Sequence, residues 1–177
     1  MSATGGLHHD QEALDWAGSS HREFPPSDGG GDLQTLQGDL RTAVLSSGRH
    51  WIDIDPYGSP VPFIDSAMQS MARSGVMEVS ATDTAALTGS SKTALMRRYG
   101  ARVRTDCLAH DSGMRVMLSN ISRIAARHDR TIEPLLSIWD SHHLRVSFRV
   151  MKSVSSANIL EAVSYTHLRA HETPEHR

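Results

Sequence analysis

The sequence predicts an α/β fold in which the later strands run antiparallel. Three observations predict it. Residues 51–55, Trp-Ile-Asp-Ile-Asp, alternate apolar and acidic side chains and end at Pro56, as a strand entering a loop does. Two helical stripes follow, Ile64/Ala67/Met68/Met71 and Met114/Met117/Leu118/Ile121/Ile124/Ala125, each spaced by three and four residues. Residues 132–138 and 144–150 then read as consecutive strands joined across Trp139-Asp140-Ser141-His142-His143, which points to antiparallel pairing at the end of the sheet.

Composition sets the class. The chain has 177 residues, 38% hydrophobic and 21% charged, which fits one globular domain or most of one. Aromatic residues make up only 5%, so the core is expected to be aliphatic, with the 8 methionines as filler rather than a cofactor box. A net charge of −2 excludes a bulk polycation and leaves room for a local basic surface. No apolar run approaches the roughly 18 residues of a membrane span. The N-terminus has no charged stretch leading into an apolar one, so no secretory signal is read. The single cysteine, Cys107, excludes an intramolecular disulfide framework and a Cys-rich zinc site. It is expected to be a small buried residue in a reducing compartment, and with no signal the expected location is cytoplasmic.

The elements follow in order. Residues 1–37 lack apolar periodicity and hold Gly5-Gly6, Pro25-Pro26 and Gly29-Gly30-Gly31, so they read as a low-complexity or flexible segment. A short element is expected around Gly38-Asp39-Leu40, then a helix through Thr42-Ala43-Val44-Leu45 that stops near Gly48. The strand at 51–55 runs into a rigid turn, Pro56-Tyr57-Gly58-Ser59-Pro60. Pro62 suits the first turn of a helix reaching about Arg73, with Gly75 as its C-cap. Residues 76–81 form the next strand and deliver Thr82-Asp83-Thr84 into a loop, where Asp83 is a candidate cap for the segment after it. Residues 91–99 read as a short helix ended by Gly100. The longest helix runs from 113 to 128 and leaves Arg115, Arg123 and Arg127 largely off its apolar stripe. His142 and His143 are adjacent; in a strand they would face opposite ways, so no metal site is read there. Ligands of open α/β sheets bind beyond the carboxyl ends of strands, and Asp55 and Asp83 both stand at such ends.

The C-terminal stretch differs in kind. Residues 163–173 read VSYTHLRAHET, which resembles the conceptual translation of a transposase-type sequencing-library adapter. Residues 163–177 are therefore expected to be a non-biological tail on a truncated reading frame, set aside from fold reasoning as a tag would be. His167 and His171 are four apart within it, but Pro174 follows and no Glu lies between them, so they are not read as a metal-binding helix face.

The segment that carries chemistry is Asp55-Pro56-Tyr57. An acid, a proline and an aromatic at a strand's end resemble the Asp/Asn-Pro-Pro-aromatic motif of S-adenosylmethionine-dependent amino methyltransferases. The exocyclic amine of a base is a weak nucleophile because its lone pair is delocalised into the ring. A carboxylate that accepts its N–H bonds pushes electron density onto nitrogen and takes the departing proton. The proline stiffens the loop, and the aromatic offers a face for an extruded base. The longer strings WIDIDPYGSPVPFIDSAMQS, VSATDTAALTG, RRYG and EPLLSIWDSHHLRVSFRV are together similar to the tRNA (guanine-26, N2)-dimethyltransferase family, over residues 38–150.

That resemblance implies a Rossmann-like S-adenosylmethionine-dependent methyltransferase domain. Residues 38–162 would be its C-terminal part, incomplete in the N-terminal half. Asp55 would be the catalytic carboxylate and Tyr57 the stacking aromatic. Asp39 and Leu40 would contact the adenine part of S-adenosyl-L-methionine, with Asp55 and Pro56 lining the donor site, and tRNA would be the partner. The sequence departs from the family at Thr88, where Cys is usual, and at Asp111, where Glu is usual. It shows no strand leading into a glycine turn upstream and no Cys cluster downstream, so little or no activity is expected of this chain by itself.

Lys92, Arg97, Arg98, Arg102 and Arg104 lie in a stretch free of Asp and Glu and form a candidate contact for tRNA phosphates, with Tyr99 among them to stack or pack. The same residues also fit blander roles: Tyr57 as a half-buried turn aromatic, the arginines as a solvated face. Two further readings stay open, a base-amine methyltransferase acting on adenine or DNA, and a non-catalytic RNA-binding module without affinity for the methyl donor.

Overall fold

A computed structural model describes residues 4–8, 10–23, 33–43 and 48–159, and the chain divides into two units, 1–46 and 47–177. In the first unit β1 (Thr4–His8), α1 (Gln11–Glu23), β2 (Leu33–Gln37) and α2 (Leu40–Ala43) follow one another. β1 and β2 pair in parallel, Thr4 opposite Leu33 and His8 opposite Gln37, so the unit contains a β-α-β crossover.

This corrects the sequence expectation of a segment without regular elements. The helix begins because Asp10 caps it, its Oδ1 accepting the N–H of Glu12 at 3.0 Å. Glu12 in the first turn and His21 and Arg22 in the last suit the helix dipole. Leu14 is the one side chain of α1 that is fully buried, so the apolar stripe is too narrow to register as periodicity. The strands are held by backbone hydrogen bonds, which Gly and Gln supply as well as Val or Ile. Pro25-Pro26, Gly29-Gly30-Gly31 and residues 44–47 of the expected second helix lie outside the described residues.

The second unit runs β3 (Arg49–Ile54), α3 (Val61–Ser70), β4 (Met71–Ala81), α4 (Thr84–Leu87), α5 (Lys92–Tyr99), α6 (Ala109–Ala126), β5 (Arg130–Asp140) and β6 (His143–Lys152). Its sheet has the order β3-β4-β6-β5, with β3 and β4 parallel and the other pairs antiparallel. The late antiparallel strands are thus as the sequence predicts. The period-2 pattern turns Ile52, Ile54, Met77, Val79, Leu144, Val146, Phe148 and Val150 to one face, all buried. Ile64, Ala67 and Met68 of α3 and Met117, Ile121 and Ala125 of α6 are buried too, and α6 packs on α3, β5 and β6. The other face is polar. Arg145 of β6 reaches Ser80 at 2.9 Å and Asp53 at 2.7 Å, and it also grips Glu78, so one guanidinium ties three strands.

Four details differ from the sequence reading. α3 ends at Ser70, and Met71 is already extended (φ −61°, ψ 139°), because Arg130 donates to the carbonyls of Met71 at 2.5 Å and Ala72 at 2.7 Å. Met71 matched the helical stripe only because it is buried at the start of β4. Gly75 is a strand residue rather than a cap; a Cβ there would lie 2.5 Å from the carbonyl oxygen of His50, so its smallness lets β3 cross closely. The connection expected over 139–143 is shorter: Trp139 and Asp140 pair with Leu144 and His143, and Ser141 and His142 make the turn. Cys107 is exposed rather than buried, because it falls in the irregular stretch before α6. Among the described residues no helix is long and apolar enough to cross a membrane.

Candidate active site

Because β3 and β4 are parallel, the loops that leave them emerge from the same end of the sheet. Backbone and side-chain bonds lock these two loops together. Gly58, in the left-handed region at φ 81°, donates its N–H to Thr82 Oγ1 at 2.6 Å, and Thr82 N–H donates to the Gly58 carbonyl at 3.0 Å. Next to them the Ser59 hydroxyl donates to Tyr99 Oη at 3.0 Å, and that hydroxyl donates to Asp83 Oδ1 at 2.8 Å. Arg98 Nη1 meets the other oxygen, Asp83 Oδ2, at 3.0 Å. Asp83 stands at the N-cap position of α4 but makes no cap bond there, which corrects its expected role. Tyr99 is 1% exposed. Burial pushes its phenol far above the ordinary tyrosine range, outweighing the Ser59 bond that favours ionisation, so it remains a neutral donor.

The two residues expected to do chemistry stand just before this clamp. Three acids crowd the region, and their commitments separate them. Asp53 is paired with Arg145, and Asp83 is held by Tyr99 and Arg98. Asp55 is exposed and takes no hydrogen bond or ion pair from any described residue, so its oxygens are open to a substrate amine. Tyr57 is 92% exposed, with a ring face open to solvent; the half-buried reading is corrected. Pro56 between them is half-buried and anchors the turn.

Asp39 and Leu40 belong to the first unit, Asp55 and Pro56 to the second. Asp39 follows β2 and caps α2, accepting the Arg41 N–H at 2.9 Å. The Arg41 guanidinium grips the same carboxylate, with Nε at 3.0 Å, and holds its pKa down at about 2. The methyl donor implied by the resemblance is a cationic sulfonium carrying an amine and hydroxyls. Carboxylate oxygens just beyond parallel strands fit that chemistry. Asp55 offers open acceptors, and Asp39 would share its own with Arg41.

Lys92, Arg97, Arg98, Arg102 and Arg104 are all exposed, on α5 and the stretch after it. Arg98 is committed in part to Asp83; the other four form no ion pair among the described residues. Two shallow depressions, about 480 and 440 Å³, share Lys92 and Val103 in their linings; Arg104 edges one and Arg102 the other. Arg123 of α6 donates to the Tyr99 carbonyl at 3.0 Å and secures the C-terminus of α5. The sequence reading did not single out Ser59 and Thr82 as clamp residues, nor Arg145 and Arg130 as ties between strands. A signal existed for Tyr99: it lies four residues after Leu95 and just before the cap Gly100, which places it on the buried face of α5.

The chain is similar to known proteins over most of its length. The family model described as N2,N2-dimethylguanosine tRNA methyltransferase matches residues 35–171. A tRNA (guanine(26)-N(2))-dimethyltransferase of Thermoplasma volcanium is 44% identical over 124 residues, 70% of this chain and 36% of the relative. The enzyme of the same description from Archaeoglobus fulgidus is 38% identical over 134 residues, 75% of this chain and 38% of the relative. The chain thus spans little more than a third of the length of these relatives. Among solved structures, Trm1 of Pyrococcus horikoshii in complex with S-adenosyl-L-methionine superposes with a TM-score of 0.81 at 25% identity, covering 89% of this chain and 46% of that one. The magnesium protoporphyrin IX methyltransferase of Synechocystis, with a TM-score of 0.52 and 14% identity over 86% of this chain and 64% of that one, shares the fold alone.

Proposed function

The chain belongs to the N2,N2-dimethylguanosine tRNA methyltransferase family, and from that premise we propose that it supplies the catalytic loop of an enzyme that methylates the N2 amine of a guanine, at position 26, in tRNA. The observation that carries the reading is the pairing of an uncommitted carboxylate, Asp55, with a fully presented aromatic, Tyr57, on one short turn. Asp55 accepts the N–H bonds of the amine, which concentrates the lone pair on nitrogen, and then receives the proton. Tyr57 stacks on the base once it has left its helix. When bound, S-adenosyl-L-methionine supplies an activated methyl group. Asp55 and Pro56 would help hold it, and positioning accounts for most of the remaining barrier. Lys92, Arg97, Arg102 and Arg104 are free to meet phosphates, a contact that weakens with salt.

The test uses a chimera in which residues 49–152 of this chain replace the matching segment of the Thermoplasma volcanium relative. Methyl transfer from radiolabelled donor is followed on a tRNA transcript with guanine at position 26 and on one with adenine there. Asp55→Ala is expected to lower kcat by about 10²–10⁴-fold, the span of general-base catalysis, with tRNA affinity retained. Normal turnover by that variant would remove Asp55 from the mechanism. Methylation of the adenine transcript would move the substrate to another base amine. A chain that binds tRNA but not the donor would be a binding module.

A further inference from the structure

We propose that Tyr99 is a positioning residue: its buried hydroxyl, held by Asp83, grips Ser59 and thereby sets the Asp55–Tyr57 turn against the basic helix α5. The inference rests on the proposed function for its meaning and on geometry for its argument. Among the described residues, the side chains of Tyr57 and Asp55 make no hydrogen bond or ion pair that would hold them. Their placement is inherited from strand β3, which ends just before Asp55, and from the two residues after Tyr57. Gly58 is fixed by Thr82 and Ser59 by Tyr99, and both partners reach the same short segment, Thr82-Asp83. The two attachments differ in origin. The Gly58–Thr82 bonds join loops of neighbouring strands and belong to the sheet. The Ser59–Tyr99 bond joins the turn to α5, 40 residues away, the helix that turns Lys92 and Arg97 outward.

That second bond is what relates a base on Tyr57 to a backbone on α5. Tyr99 can serve because it is 1% exposed, so no water competes for its hydroxyl. The hydroxyl spends its single proton on Asp83, and its lone pair is left to accept from Ser59. Arg98 on the opposite oxygen of Asp83 fixes the carboxylate that orients the phenol. Arg123 on the Tyr99 carbonyl fixes the residue's backbone. A side chain anchored at both ends is a rigid spacer between two functional surfaces.

The experiment uses the full chain with Tyr99→Phe, Ser59→Ala, Ser59→Thr and the double variant Tyr99→Phe/Ser59→Ala. Amide exchange is followed by NMR at Gly58 and Thr82, whose N–H groups close the turn, with Met77 and Val146 as core references. Tyr99→Phe and Ser59→Ala are each expected to speed exchange at the turn by about three- to tenfold, the loss of one buried hydrogen bond. The double variant should do no more than either single one, and Ser59→Thr, which keeps the hydroxyl, should restore protection. The core references should stay at the wild-type rate. A turn unaffected by Tyr99→Phe, additive effects, or equal loosening of Met77 and Val146 would each overturn the assignment.

The second readout is a tRNA transcript with 2-aminopurine at position 26. Stacking on Tyr57 should quench its emission in the wild-type chain. Tyr99→Phe and Ser59→Ala should bind the transcript as tightly but quench it less, a split that loss of fold would not produce. Undiminished quenching in both variants would also overturn it. If the wild-type chain itself fails to quench, the tRNA reading fails, while the exchange rates still decide whether Tyr99 holds the turn.

Discussion

The two units of this chain use the same β-α-β grammar but different reaches. In the first, Asp10 to Glu12, Gln11 to Asp15, Ser19 to Asp15 and Arg41 to Asp39 are side-chain hydrogen bonds between residues no more than 4 apart. In the second, side chains reach across the sequence: 40 residues from Ser59 to Tyr99, 59 from Arg130 to Met71, 63 from His128 to Asp65 and 92 from Arg145 to Asp53. Local bonds shape elements and persist in part when the chain unfolds. Long-range bonds exist only in the folded state, so they fix the relative placement of loops. The Asp55–Tyr57 turn lies in the second unit, where that kind of bond is available to place it.

The largest test of the contrast is a core deletion. Phe148→Ala removes a ring that is 0% exposed beneath the sheet, and it is expected to destabilise the second unit by about 3–5 kcal/mol. Urea unfolding followed by amide protection of β4 and β6 measures it. Leu14→Ala, from the one fully buried position of α1, should leave that protection unchanged. Loss of β4 and β6 protection in Leu14→Ala would show that the two units share one cooperative transition.

Arg130 gives an intermediate effect. The residue is 8% exposed, burial draws its pKa below the ordinary arginine value, and its guanidinium bonds the two carbonyls where helix α3 becomes strand β4. Arg130→Met keeps the stem and deletes the donors. It should cost about 1–3 kcal/mol and allow helix to propagate past Ser70, which chemical shifts of residues 71–73 would report. Unchanged shifts and stability would mean that the break at Ser70 is set by the strand pairing of β4 alone.

These bonds also explain what was legible. The alternation of β3, the strand at 144–150 and the stripe of α6 are patterns within a short window, and each is found in the fold. The end of α3 was misplaced because its cause, Arg130, lies far along the chain. The clamp on the turn was invisible for the same reason: neither Ser59 nor Tyr99 announces a partner 40 residues off. The first unit was missed although its chemistry is local. Its strands carry Gly and Gln, and its helix buries one leucine, so the hydrophobic pattern that guides such reading was absent while the polar cap Asp10 was present.

The smallest effect separates the two reaches most cleanly. Asp65 and Asp39 both have carboxyl pKa values below the ordinary range, one through a bond from His128 and the other through bonds from Arg41. A depressed folded pKa contributes stability above the unfolded pKa, and that stability is lost as pH falls through the folded value. The argument requires that the partner be absent from the unfolded chain. His128 is 63 residues from Asp65, so unfolding removes it. Arg41 is two residues from Asp39, so unfolding leaves it within reach. Urea midpoints measured from pH 6 downward should therefore fall as Asp65 protonates below the ordinary carboxylate range. Asp65→Asn should flatten that fall, by less than about 1 kcal/mol because the pair is half-exposed and screened. Asp39→Asn should leave the curve as it is. Equal flattening by both variants would show that the Asp39–Arg41 pair is made only on folding, and the distinction between local and long-range bonds would lose its thermodynamic meaning.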